Sequence, residues 1–220
     1  MTGWTDDART RQGLYRLIGV AFRPPEIERM QSLSAAWSYL DGGGLDRFAY
    51  SRNWRRLGEC LVGEAQMGPL EVEYVRLFGV GMGGTPATPT ESYYRVPARD
   101  GGIAHFISSL QREYRSMGLV SVGIAESPDH ISTEMEVMSY LCGLEVEAWE
   151  SDQGTLALDT LSLEVRFIKT HLAMWVPEFC ASARAASASG FYGRLVDFAH
   201  AYVVHEADYV VGIVNEAAPQ

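Results

Sequence analysis

Cysteine is scarce and poorly placed for cross-linking. Cys60, Cys142 and Cys180 are odd in number, far apart and without a CxxC pair, which excludes a disulfide framework and a cysteine-based zinc site. They read as buried thiols of a reducing compartment. Positive charge is also short: 18 Lys and Arg stand against 28 Asp and Glu, for a formal charge of -10. A protein that coats a duplex needs a basic face to displace phosphate counterions, so nucleic acid is excluded as a partner class. Basic partners are favoured instead, such as a peptide carrying arginines. No run approaches the roughly 20 apolar residues of a membrane span, and the polar, mixed-charge stretch from Met1 to Arg11 lacks the core of a signal peptide. The expected location is the cytoplasm, without stable membrane insertion.

Motifs that carry chemistry are equally thin. There is no Gly-x-Ser-x-Gly elbow, and none of the Glu-x-x-His pairs that a di-iron bundle needs. His200 and His205 lie five apart, which places them on different helix faces, while His105 and His171 read as lone, satisfied helix histidines. Gly79-Val80-Gly81-Met82-Gly83-Gly84 imitates a nucleotide-binding loop, but such loops need a strand before them and a helix N-terminus after. Here a helical pattern precedes and prolines follow, so the glycines read as a hinge. No catalytic residue, metal site or stably bound cofactor is expected.

What the chain does have is helical periodicity. Hydrophobic residues make up 47% and charged residues 21%, the balance of a globular protein with one buried core. Leu14, Leu17, Ile18, Ala21 and Phe22 line one face, stopped by Pro24-Pro25. Further helices are expected over Glu26 to Leu40, Leu45 to Met67 with its stop at Gly68-Pro69, Leu70 to Phe78, and Ile103 to Met117. Ser127 as N-cap and Pro128 in the first turn open another, carrying Ile131, Met135, Met138 and Cys142 on one side. Leu161, Val165, Ile168, Leu172 and Trp175 form a stripe up to Pro177, and Phe191, Leu195, Phe198 and Tyr202 begin the last helix. No hairpin signal or internal repeat interrupts this. The expected architecture is all-α: a single helical-bundle domain spanning 1–220, with about eight helices and a Gly/Pro-rich loop at 79–101 that has few apolar anchors.

Two groups of residues admit both a structural and a functional reading. Glu73, Tyr74, Leu77 and Phe78 fit an ordinary amphipathic stripe, or the wall of a binding site at a helix end that runs into a long loop. Asp129 and His130 fit a helix start complementing the macrodipole, or an exposed polar anchor for an incoming basic group.

Order and spacing over Leu14 to Tyr202 resemble the TorD/DmsD/NarJ family of redox-enzyme maturation chaperones. The likeness is carried by Glu73-Tyr74-x-x-Leu77-Phe78, Pro89-x-Glu91-Ser92-x-Tyr94, Pro128-Asp129-His130 with Glu134 and Met138, and Phe167-x-x-x-His171-Leu172-x-x-Trp175-x-Pro177-x-Phe179, with Phe191-Tyr192 and Leu195 beyond. The chain departs from the family in the glycine run after Phe78, where a Gly-Pro step is usual. Its Glu-Ser-x-Tyr ending leans towards the branch serving type II enzymes of the dimethyl-sulfoxide-reductase superfamily. The resemblance implies an all-helical cytoplasmic chaperone without enzymatic activity, a monomer or weak dimer. Its partner would be the apo catalytic subunit of a molybdoenzyme, or that subunit's twin-arginine leader, held until bis-molybdopterin guanine dinucleotide is inserted. It also implies a client-peptide site formed by Glu73, Tyr74, Leu77, Phe78, Pro89, Glu91, Tyr94, Asp129 and His130. The alternative is a helical enzyme or small-molecule-binding regulator unrelated to molybdoenzyme maturation.

Overall fold

The computed structural model describes residues 2–61, 67–79, 84–96, 101–119, 126–187 and 190–217. Among these the architecture is helical throughout: α1 (Thr2–Ala21), α2 (Ile27–Asp41), a 3-10 turn (Leu45–Arg47), α3 (Ser51–Leu61), α4 (Met67–Phe78), α5 (Glu91–Arg95), α6 (Gly102–Ser116), α7 (Ile131–Glu150), α8 (Gly154–Phe167), a π-helical turn (Ile168–Leu172), α9 (Ala173–Ala186) and α10 (Phe191–Ala217). An isolated antiparallel bridge between Thr90 and His130 is the extended pairing found among the described residues.

Two helices exceed the sequence reading. One is α5, which forms inside the expected 79–101 loop. The other is α9, because Pro177 does not end the helix that carries the Leu161 to Trp175 stripe. Proline lacks the N–H that would bond four residues back and crowds that carbonyl. The chain absorbs this with the π turn just upstream, where the Ala173 amide reaches the Ile168 carbonyl five residues back. Two boundaries also move. Gly68-Pro69 does not stop a helix but lies in the first turn of α4, where a missing N–H costs nothing. Ser127-Pro128 does not open α7; His130 is its N-cap, with the ring Nδ1 accepting from the Ser132 amide at 3.2 Å.

Apolar faces dictate the packing. Leu14, Leu17 and Ile18 on α1, Phe22 just after it, and Ile131, Met135, Met138 and Leu141 on α7 are buried in one hydrophobic cluster that extends to Ile213 on α10. Helices α1 and α7 approach so closely that a Cβ on Gly19 would stand 3.1 Å from the Ser132 carbonyl oxygen and 3.2 Å from Met135 Cβ. A side chain there would press on the α7 backbone, so glycine suits the close approach. No helix of the described residues is long and apolar enough to cross a membrane.

One polar cluster is sealed inside this bundle. Arg11 on α1 pairs with Glu145 on α7 and Glu164 on α8, and lies 3.4 Å from Asp7, with both main partners and the guanidinium at most 3% exposed. Glu206 on α10 is also buried, and Tyr209 donates to Asp7 at 2.9 Å. One cation cannot neutralise so many acids. Burial, partly offset by Arg11, therefore pushes Glu164 up to about 8 and Glu206 up to about 7.

Candidate functional site

Three layers meet where α4, α5, α7 and α9 converge. The innermost is aromatic. Phe78 lies edge-on to Phe22 at 5.9 Å and to Tyr192 at 5.5 Å, and 5.9 Å from Phe179. Tyr74, one turn earlier on α4, stacks edge-on against Phe78 at 5.3 Å and donates its hydroxyl to the Phe22 carbonyl at 3.4 Å. Leu77 is fully buried. The opposite face of α4 exposes Val72 and Val75, at 69% and 64%.

The second layer is a clasp between the 84–96 segment and the approach to α7. The Ala87 amide bonds the Leu77 carbonyl at 3.2 Å, Ile131 bonds the Pro89 carbonyl at 2.9 Å, and Glu91 bonds the Asp129 carbonyl at 2.9 Å. Asp129 then accepts from the Ser92 amide at 3.0 Å, supplying a side-chain cap to α5. This corrects the expectation of an unanchored loop over residues 84–96; Val80 to Gly83 and residues 97–100 lie outside the described residues. Of the two readings of Asp129 and His130, burial disfavours the exposed polar anchor, since the clasp covers both residues, which are 1% and 5% exposed. Burial, together with nearby Arg23, holds the His130 imidazole below its ordinary range despite Glu126 and Asp129. It is neutral, as the lone pair it offers to Ser132 requires.

The third layer is a carboxylate cluster centred on Glu91, in the first turn of α5. His171, on the π turn, places Nδ1 2.8 Å from one Glu91 oxygen and Nε2 3.1 Å from Glu113 on α6. Burial alone would lower the His171 pKa, but the hydrogen bonds and charges of Glu91 and Glu113 outweigh it and raise the value. A ring between two carboxylates must donate from both nitrogens, so it is the imidazolium. Glu134 on α7 faces Glu91 from within and accepts from the Trp175 indole at 3.0 Å. Burial and the Glu91 charge both push its carboxyl well above the usual range, so Glu134 keeps its proton and can donate it to Glu91. On the solvent side Arg95 closes the cluster. It pairs with Glu91 one turn back and donates to the Thr170 carbonyl at 2.6 Å.

Of the residues expected to form the site, Leu77, Phe78, Glu91, Asp129 and His130 are therefore buried, and Glu73, Tyr74, Pro89 and Tyr94 half-buried. Tyr94 joins the aromatic layer, stacking on Trp175 at 5.6 Å and meeting Phe179 edge-on at 6.4 Å. Glu73 lies apart from the carboxylate cluster, 3.6 Å from Arg76 and next to Gly190. His171 is satisfied but not solitary. It, Arg95 and Glu113 were not among the expected residues. His171 carried a sequence signal as part of the family-like Phe167 to Phe179 motif, and Arg95 by its spacing of four from Glu91 on one helix face; Glu113 carried none.

Every residue of the three layers from Phe78 to Phe179 falls within residues 48–181, which the family model of the nitrate reductase delta subunit matches. That is more than half of the chain. The chain belongs to this family. Among relatives of the delta subunit family, the chlorate reductase assembly chaperone protein of Ideonella dechloratans is 32% identical over 130 residues, covering 57% of this chain and 64% of its own length. The selenate reductase assembly chaperone protein of Thauera selenatis is 30% identical over 151 residues, 67% of this chain and 71% of its own. The match thus spans somewhat less than two thirds of the chlorate reductase chaperone. The fold is shared with a solved structure described as a proposed redox enzyme maturation protein from Archaeoglobus fulgidus. The two superpose with a TM-score of 0.57 at 20% identity, over 88% of this chain and 93% of the other.

Proposed function

We propose that this delta-subunit-family chain is a cytoplasmic, non-catalytic assembly chaperone that binds the apo catalytic subunit of a molybdoenzyme of the dimethyl-sulfoxide-reductase superfamily. It would hold that subunit, through its twin-arginine leader or its mature part, while bis-molybdopterin guanine dinucleotide is inserted. The observation that carries this reading is the identity of 32% and 30% to two reductase assembly chaperones. Physical chemistry supports the same face. The Tyr74, Leu77 and Phe78 layer anchors α4 and leaves Val72 and Val75 outside, while Tyr93 is 61% exposed beside Tyr94. Such apolar side chains suit the hydrophobic part of a leader, and the surplus of acids suits its arginines. In this reading Glu73, Pro89, Glu91, Tyr94, Asp129 and His130 shape the site, the buried ones by holding the 84–96 segment in place.

Co-expression with a candidate reductase subunit tests it. The tagged chain should capture the subunit made without cofactor and release the loaded one, and its omission should lower the molybdenum content of the purified reductase. Tyr93→Ala and Val75→Asp should cut capture without moving the melting temperature, because neither side chain is buried. Equal capture of loaded and empty subunit, with unchanged molybdenum content, would overturn the proposal.

A further inference from the structure

We infer that the Glu91 carboxylate is a guanidinium-binding site that the resting chain fills with its own Arg95, and that an arginine of the client enters by exchange with it. The inference rests on the client reading above and adds how the site is regulated. Glu91 is fully buried, and its inner side is taken by His171 and Glu134. Arg95 is the partner of Glu91 on the solvent side, with 29% of its side chain exposed. Among the described residues, the way to the carboxylate from solvent is the place where Arg95 now sits.

The receptor offers two acceptors to one cationic nitrogen. Glu91 presents a carboxylate and Thr170 a backbone carbonyl to the same guanidinium nitrogen. Guanidinium can serve both acceptors while its remaining N–H groups face water, and it loses hydration more readily than ammonium. Vacating the place altogether would strand a buried charge, whereas exchanging one guanidinium for another leaves the charge balance untouched. The swing-out is easily accommodated, since Arg95 ends a five-residue helix and its side chain is already partly in solvent. Until a client arrives, Arg95 shields an acid that would otherwise take any arginine in the cell.

Chemical rescue tests the receptor without a client. In the full chain, Arg95→Ala should lower the melting temperature, and millimolar ethylguanidinium should restore several degrees of it while ethylammonium restores none. The wild type and Arg95→Ala/Glu91→Gln should not respond. Arg95→Gln, which keeps length and drops charge, is run in parallel so that poor folding of the alanine variant does not decide the matter. Calorimetric titration of a synthetic peptide with two adjacent arginines before an apolar run then tests the exchange. Arg95→Ala should bind it at least about tenfold tighter than wild type, because the peptide no longer competes with a resident guanidinium. Adding Glu91→Gln, or replacing the peptide's arginines by lysine, should remove that gain. Identical responses to both small cations, or equal peptide affinity with and without Arg95, would overturn the inference while leaving the chaperone reading intact. Rescue by ethylguanidinium with no peptide binding by any form would remove the leader from the proposed function and keep the guanidinium site.

Discussion

The Asp129 carboxylate accepts the backbone amide of Ser92 at 3.0 Å, so an acid that precedes α7 caps a different helix, α5. Its own carbonyl takes the Glu91 amide. Removing the side chain therefore affects the clasp and not the start of α7. Asp129→Ala should cost about 1–2 kcal/mol, the range of a lost cap, and lower the melting temperature by roughly 2–8 °C at this chain length. Asp129→Asn, which keeps an acceptor, should lose much less. Hydrogen exchange reads the mechanism directly: the Ser92 amide should lose protection in the alanine variant while amides inside α7 keep theirs.

Phe78 and Leu77 should behave as core residues. Phe78 touches the Phe22 ring just after α1 and rings from α4, α9 and α10, and Leu77 is fully buried. Phe78→Ala should destabilise by about 3–5 kcal/mol and Leu77→Ala by about 2–5 kcal/mol. Denaturant melts check this. A client-binding defect in either variant at full stability would move the residue from the core to the contact surface.

Arg11 neutralises part of the sealed acid cluster. Arg11→Met should cost about 3–5 kcal/mol, because it leaves buried acids uncompensated. Arg11→Met combined with Glu145→Gln and Glu164→Gln should recover part of that loss, since the charges and their partner leave together. Equal stability of the single and triple variants would show that the pairing contributes little.

The same cluster sets an unusual pH dependence. Glu164 and Glu206 have folded-state values of about 8 and about 7 against an ordinary 4.5, so between these limits the folded chain holds protons that the unfolded chain releases. Their stabilisation is complete below the unfolded value and is lost as pH rises through the folded one. His171, raised above its ordinary 6.5, adds the same sign. His130 and His205, both lowered, oppose it only below 6.5. The melting temperature should therefore fall between about pH 6.5 and 8 and level off above that range, as the folded chain gives up the same protons. Calorimetric scans in that range decide it, and a flat or rising curve would contradict the assignment of protons to these acids.

Helix identity was legible in the sequence because burial repeats at the helical period, as on α1 and α7. The ends were less so. Ser127-Pro128 has the grammar of a helix start, yet the chain spends those residues on a turn that positions Asp129 for α5, a demand from another part of the fold. The family motifs located the functional region but not its exposure. Glu91 and Asp129 look like surface acids in sequence, and nothing local reveals that α6, α7 and the π turn close over them. The Arg11 cluster was invisible for the same reason: its members are spread over four helices, and only their convergence gives them meaning.

The π turn at Ile168–Leu172 acts as a spacer in the register between α8 and α9. Its extra residue presents the Thr170 carbonyl to Arg95 and the His171 ring to Glu91, while keeping Trp175 and Phe179 in the core. Each helical residue advances the azimuth by about 100°, so deleting one residue here would turn α9 by that angle relative to α8. Trp175 would leave Glu134 and the receptor carbonyl would leave Arg95 in the same step. Length in this five-residue turn is therefore more constrained than side-chain identity, and an insertion or deletion there would disable both the core seam and the receptor where many point substitutions would not.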